Sequence, residues 1–180
     1  YLERVKLTPD IDEEKVRIEV KLNHRPEQKV SLNCEIRLDE NEIAVHTVDI
    51  RSEYARFDIK VSNPEEPWGM VLWSPENPKL YDMTLRLASE SGEDEARSYF
   101  GMREISIQDG KVLLNHVPLY QRLILDQGYW EESHLTPPSE EALIKEIDLI
   151  MAAGYNGLRK HEKTEDERFL YWCDKKGLLV

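Results

Sequence analysis

The chain has 180 residues, 40% hydrophobic and 33% charged, with 36 acidic residues against 24 lysines and arginines and a formal net charge of −12. That is a globular composition with room for one ordinary domain and part of a second. No apolar run approaches the ~18 residues of a membrane-spanning helix, and nucleic acid is excluded as a partner because it calls for a lysine and arginine excess on one face.

The first hundred residues alternate with a period of two. Val16, Ile18, Val20 and Leu22 are separated by charged residues, and Val30, Leu32, Cys34, Ile36 and Leu38 repeat the pattern. Phe57, Ile59 and Val61 alternate in the same way, as do Met83, Leu85 and Leu87. Such alternation buries one face of a strand and wets the other, the habit of antiparallel sheets. With residues 5–8, 43–50 and 95–100 added, about seven strands fall within ~100 residues, the spacing of an all-β immunoglobulin-like sandwich. The proline-rich run 64–78 reads as a connection between strands, since proline cannot donate to a central ladder, and Trp68 and Trp73 are expected to pack it against the sandwich. Cys34 and Cys173 lie far apart with no metal or disulfide spacing and read as reduced core residues.

After Gly101 the pattern changes. Residues 105–107 and 111–114 flank Asp109-Gly110, a hairpin turn signal. Residues 119–125 read as a mostly apolar strand. Ser139 can cap a helix whose Leu143, Ile144, Ile147, Ile150 and Met151 form one inward stripe, ended by Gly154. Residues 155–159 form a short strand. Thr164 and Glu167 then spell a capping box for a second helix carrying Phe169, Leu170 and Cys173 inward, closed by Gly177. Leu178-Leu179-Val180 reads as a buried strand just beginning.

Strand, helix, strand, helix, strand implies parallel pairing with right-handed crossovers. A (β/α)8 barrel takes ~250 residues, so residues 101–180 hold its first two units and the start of a third. A doubly wound sheet is disfavoured because neither GxGxxG nor GxxxxGK[ST] occurs. The expected organisation is a sandwich over 1–100 and the N-terminal portion of a truncated barrel over 101–180, the whole a piece of a larger protein.

At four places the chain resembles glycoside hydrolase family 2, the group of β-galactosidases, β-glucuronidases and β-mannosidases. Trp73-Ser-Pro-Glu-Asn-Pro-Lys-Leu-Tyr81 is similar to a segment late in the family's immunoglobulin-like domain, and Phe100-Gly101-Met102-Arg103-Glu104-Ile105 resembles its exit strand. Leu113-Leu114-Asn115-His116-Val117-Pro118-Leu119 resembles the hairpin before the barrel, with His116 in place of glycine. Residues 146–151, then Asn156-Gly157-Leu158-Arg159, then 169–180 with Cys173-Asp174 resemble its opening barrel run. Gln121-Arg122 stands where the family commonly has Arg-Gly, and Arg159-Lys160-His161 is one residue shorter than the usual Arg-x-x-His.

The resemblance implies a retaining β-glycosidase acting on terminal β-glycosidic bonds of a carbohydrate substrate, which uses two carboxylates ~5–5.5 Å apart. It places both as glutamates at the ends of the fourth and seventh barrel strands, beyond residue 180, so this chain holds no catalytic residue and is expected to be inactive alone. No cofactor is called for. The five histidines, His24, His46, His116, His134 and His161, have no paired spacing for a metal.

Barrel enzymes place their chemistry at the carboxyl ends of strands. Substrate-binding candidates there are Asp126, Trp130, Arg159 and His161. Asp126 either accepts hydrogen bonds from sugar hydroxyls or forms a structural ion pair at the rim. Arg159, within the motif, is read as orienting carboxylates near the scissile bond. Tyr129 and Trp130 either stack on a sugar ring or plug the rim. Lys160 and His161 are read as further residues able to contact substrate, His161 being kept as a candidate. A local carboxylate pair, for example Asp126 with Glu131, Glu132 or Glu162, is disfavoured, because loop acids are usually solvated and nothing in the sequence sets two of them at a defined separation. The alternative to an enzyme is a non-catalytic sandwich module that binds glycan or protein. The incomplete barrel predicts a mobile C-terminal third, or one covered by a second copy in a homo-oligomer.

Overall fold

The structure, a computed structural model, describes residues 1–62, 69–90 and 92–180. It is mostly β-sandwich with few helices, and its residues fall into two compact units: Tyr1–Leu72 with Lys79–Glu104, and Trp73–Pro78 with Ile105–Val180.

In the first unit seven strands run β1 (Leu2–Asp10), β2 (Lys15–Leu22), β3 (Val30–Leu38), β4 (Asn41–Ile50), β5 (Tyr54–Lys60), β6 (Tyr81–Ser89) and β7 (Gly92–Phe100). They form two antiparallel sheets, β1-β2-β5 and β4-β3-β6-β7. The alternation read from the sequence decides what is buried: Val16, Ile18, Val20 and Leu22 from one sheet meet Leu32, Cys34, Ile36, Met83 and Leu85 from the other in a single core. The outward residues pair across strands. Arg97, Glu95, Arg86, Glu35 and Arg37 form a chain of alternating charge over β7, β6 and β3, with separations of 2.9 to 3.2 Å. The guanidinium of Arg86, then that of Arg37, holds the Glu35 carboxyl below its ordinary range. Such ladders favour one register.

Tyr81, at the start of β6, is fully buried, stacks on Phe100 at 5.2 Å and accepts the Val71 N–H at 2.8 Å on its hydroxyl. This ties the incoming connection to the strand in the manner of a tyrosine corner. Among the proline-rich run, Pro64, Pro67 and Trp68 lie outside the described residues. Trp73 overturns its expected place. It belongs to the second unit, is 1% exposed, and donates its indole N–H to the Asp174 carbonyl at 2.7 Å.

The second unit opens with β8 (Ile105–Gln108), β9 (Lys111–Leu114) and β10 (Val117–Pro118), an antiparallel meander. Its turns are Asp109-Gly110, at φ 50° and 73°, and Asn115-His116, at φ 51° and 66°. The Asp-Gly pair fits that left-handed geometry; His116 adopts it with a side chain in place. Next come β11 (Leu123–Asp126), α1 (Glu140–Ala152), β12 (Gly157–Lys160) and α2 (Glu167–Lys176). β11 pairs with β12 in parallel, and Leu179 bridges Gly157 on the far side, also in parallel. Leu158 donates to Leu179 and Leu179 to Asn156, at 2.9 and 3.0 Å.

Ser139 caps α1, accepting the Ala142 N–H at 3.2 Å, as its sequence suggests. α2 begins later than the capping box predicts. Asp166, not Thr164, is its cap, accepting from the Arg168 backbone at 2.8 Å and from its guanidinium at 2.9 and 2.8 Å. That bidentate pair is more than a threonine hydroxyl supplies. Gly177 takes φ 86° at the end of α2, and a Cβ there would stand 2.4 Å from the Pro75 carbonyl oxygen.

The helices bury Leu143, Ile147, Ile150, Phe169 and Cys173 against Leu158 and Leu178. Met151 and Leu170, expected inward, are 36% and 39% exposed. Both cysteines are free and buried, and burial pushes each thiol up to about 12. Among the described residues no helix is long and apolar enough to cross a membrane.

Candidate functional site

Asn156 and Gly157 explain the shape of the β11–β12 pair. The Asn156 side chain accepts the Arg122 N–H at 2.7 Å and donates to the Tyr120 carbonyl at 2.9 Å, clamping the entrance of β11. The strand itself starts at Leu123, later than the expected residue 119. Gly157 lies between two strands, where a Cβ would meet Leu123 Cδ2 at 2.6 Å and the Leu179 carbonyl oxygen at 2.9 Å. Only glycine permits that approach.

The register Leu125↔Arg159 and Asp126↔Lys160 then sorts the candidates onto opposite faces. Ile124, Asp126, Leu158 and Lys160 turn toward the helices. Leu125, 56% exposed, and Arg159, also exposed, turn the other way. Asp126 and Arg159 are therefore not brought together.

Behind the helix-facing side lies a buried ionic cluster. Lys160, with a side chain 7% exposed, bonds Asp126 Oδ2 and stands 2.7 Å from Glu165 Oε2. Its ammonium also lies 4.2 Å from the centre of the Phe169 ring. Lys163 reaches Glu165 at 3.2 Å and donates to the carbonyls of Leu135 and Gly128 at 2.8 and 3.3 Å. Asp126 Oδ1 also accepts the Gly128 N–H at 2.6 Å. Burial opposes the charge on Lys160, but its hydrogen bonds to Asp126 and Glu165 outweigh this and raise its pKa. Burial likewise opposes the charge on Glu165, yet Lys160 and the Asp166 N–H bring that carboxyl below its ordinary value. Glu146 is the odd member. Its Oε2 is buried with no hydrogen-bond partner among the described residues, and burial, followed by the Asp126 charge, raises its pKa.

Asp126 is thus engaged by Lys160 and by the Gly128 N–H. Trp130 packs with Ile124 and Trp172 against the helix core and lines an open groove of about 490 Å³ with Asp126, Lys145, Glu146 and Leu149. Its backbone pairs with His134 at 2.6 and 2.9 Å. The ring is on the helix side, away from Arg159. Tyr129 is 71% exposed, and Glu131, Glu132 and Glu162 are exposed too, as solvated loop acids are. His161 extends the ladder, donating its N–H to the Asp126 carbonyl at 2.9 Å. Its imidazole Nδ1 lies 3.1 Å from Gln127 Nε2. Continuing the alternation, Gln127 and His161 share the face of Leu125 and Arg159.

Gln127, Glu146, Lys163 and Glu165 are the residues that sequence reasoning passed over. A signal existed for Gln127, two residues along the strand from Leu125. For Lys163 and Glu165 the sequence offered only opposite charges a few positions apart, and for Glu146, whose charged neighbours Asp126 and Lys160 lie in other elements, it offered none.

Residues 1–103 match the family model described as Glycosyl hydrolases family 2. A β-galactosidase of Lactococcus lactis is 33% identical over 125 residues, 68% of this chain and 12% of that protein. Among solved structures, a β-glucuronidase of Parabacteroides merdae aligns over 100% of this chain and 23% of its own, with a TM-score of 0.80 at 19% identity. A β-galacturonidase from Eisenbergiella tayi, solved bound to galacturonate, aligns over 98% of this chain and 32% of its own, with a TM-score of 0.75 at 26% identity. The chain spans only about an eighth of the length of the Lactococcus relative. Two sheets closing on one core, and a family model matched across that whole sandwich, carry one conclusion: the chain belongs to glycosyl hydrolases family 2.

Proposed function

We propose that these residues are the sandwich and the opening barrel units of a retaining β-glycosidase, in which the exposed face at the carboxyl ends of β11 and β12 forms one wall of the sugar site. The observation that carries this reading is the order β11, β12, Leu179: successive parallel neighbours with both helices on one side and an uncovered face on the other. Parallel sheets are covered on both faces when complete, and barrel sites lie at the carboxyl ends of strands. Leu123, Leu125 and Arg159 on the uncovered face suit a barrel interior, and the groove beside β11 suits a further βα unit. The names of the relatives support hydrolysis of a terminal β-linked sugar.

On this reading Arg159 and His161 contact substrate, while Asp126 and Trp130 hold the strand end that carries them. The bond-breaking carboxylates come from strands outside these residues, so the 180-residue chain by itself hydrolyses nothing.

The test compares this chain with the full reading frame that encodes it, both assayed on aryl β-glycosides. Activity is expected in the longer protein alone, with the released sugar first appearing as the β-anomer, and Arg159→Ala is expected to lower its kcat/KM by about 100-fold, the scale of a lost charge-assisted contact. A longer protein without glycosidase activity, beside a 180-residue chain that binds glycan as it stands, would overturn the proposal in favour of a binding module.

A further inference from the structure

Resting on that reading of the strand ends, we propose that Gln127 is a positioning residue that sets the tautomer of His161, so that the imidazole presents Nε2–H as a hydrogen-bond donor to an oxygen of the bound sugar. The geometry begins with the ladder. Asp126 opposes Lys160, and the His161 N–H reaches the Asp126 carbonyl at 2.9 Å, so Gln127 and His161 are the next residues of the two strands. Their side chains meet with Gln127 Nε2 at 3.1 Å from His161 Nδ1. A side-chain amide nitrogen only donates. With Gln127 Nε2 donating, Nδ1 offers its lone pair, and the proton of a neutral ring then sits on Nε2.

Glu162 Oε1 lies 3.8 Å from Nε2, beyond hydrogen-bond reach, so it does not fix the ring. The Glu162 side chain is 84% exposed and the His161 side chain 29% exposed, so a ligand can displace that weak contact and reach the ring. Asp126 and Lys160 point to the opposite face and engage each other, which leaves the imidazole outside the buried ionic cluster.

The consequence concerns ligand chemistry. Arg159, on the same face, has donors only, and a His161 ring held with Nε2–H adds one more. A wall made of donors selects oxygen acceptors, either hydroxyl and ring oxygens or the carboxylate of a sugar acid. An unrestrained imidazole spends part of its time presenting a lone pair at Nε2 instead, which repels a ring or carboxylate oxygen and is met by a hydroxyl only if that hydroxyl turns to donate.

The tautomer is read on the 180-residue chain by long-range nitrogen–proton correlation NMR of the histidine rings, with the His161 signal assigned by its loss in His161→Gln. The wild-type chain is expected to show a bare Nδ1 and a protonated Nε2. In Gln127→Leu the ring is expected to average both forms, and in Gln127→Glu, whose carboxylate only accepts, the proton moves to Nδ1. An Nδ1-protonated ring in the wild-type chain, or a tautomer unchanged in Gln127→Leu, overturns the proposal. The second readout is the longer enzyme, where Gln127→Leu is expected to lower kcat/KM by about tenfold, the scale of one misdirected hydrogen bond. A greater loss on hexuronides than on hexosides identifies a carboxylate as the acceptor, equal losses identify a ring or hydroxyl oxygen, and no loss on either overturns the link to substrate. If the longer protein cleaves no glycoside while the tautomer arm succeeds, the functional reading has failed and the positioning role of Gln127 stands.

Discussion

Replacing Lys160 with methionine tests whether the ionic cluster behind the β11–β12 pair is a buried network or a wet one. The substitution keeps most of the side chain's volume beside Phe169 and removes its charge. It strands Asp126 and Glu165, whose side chains are 14% and 4% exposed. Removing one partner from a buried pair costs about 3–5 kcal/mol. Asp126 keeps the Gly128 N–H at 2.6 Å and Glu165 keeps Lys163 at 3.2 Å, so the lower end applies, about 3 kcal/mol. Both helices lie in the second unit, so urea unfolding followed by helical ellipticity reports its stability directly. Adding Asp126→Asn and Glu165→Gln to Lys160→Met should restore about half of the loss, because no uncompensated charge then remains. The pH dependence has a definite sign. Glu165 is depressed in the folded chain, so its contribution is present above the ordinary carboxylate range and disappears as pH falls through the lowered value. Lys160 is raised, so its contribution is complete below 10.5 and disappears as pH rises beyond its folded value. A loss under about 1 kcal/mol for Lys160→Met would place the cluster among surface ion pairs and refute the argument.

Gly154 and Gly177 make a matched pair, at φ 89° and 86° after α1 and α2, but a Cβ meets nothing within 4 Å at the first and the Pro75 carbonyl oxygen at 2.4 Å at the second. Gly154→Ala should cost about 1 kcal/mol of conformational strain, and Gly177→Ala about 2 kcal/mol more in the same unfolding assay; equal costs would deny the close approach. Glu146→Gln should stabilise the second unit at neutral pH by about 1 kcal/mol, since it replaces a buried, unpartnered carboxylate. Because the folded Glu146 pKa is raised, the native state favours the protonated acid, and the advantage of glutamine should vanish as pH falls below the ordinary value of 4.5. An advantage that persists in acid would mean that packing, not charge, is responsible.

The local features were legible because their physics is local. Alternation along β2, β3 and β6 named the buried set, and Ser139, Gly154 and Gly177 marked helix ends through backbone geometry that neighbouring residues impose. The α2 start was misjudged because Thr164 and Asp166 can both cap, and the choice depends on where the Arg168 guanidinium goes. Trp73 was misplaced because its partner, the Asp174 carbonyl, lies 101 residues away.

The site divides along the same line. Asn156-Gly157-Leu158-Arg159 was recognisable as a motif, and the amide clamp and the sterically required glycine account for its first two positions. Which face each residue takes was not recognisable. In a parallel pair the side chains alternate, so moving β11 by one residue against β12 would put Asp126 in place of Leu125 on the exposed side, beside Arg159. Sequence alone determined the sandwich, the start of α1, the glycines that close both helices and the residues at the carboxyl ends of the strands. The packing of β11 against β12 and the helices decided which of those residues are buried as ion pairs and which are left facing outward, because register and burial are set by partners distant along the chain.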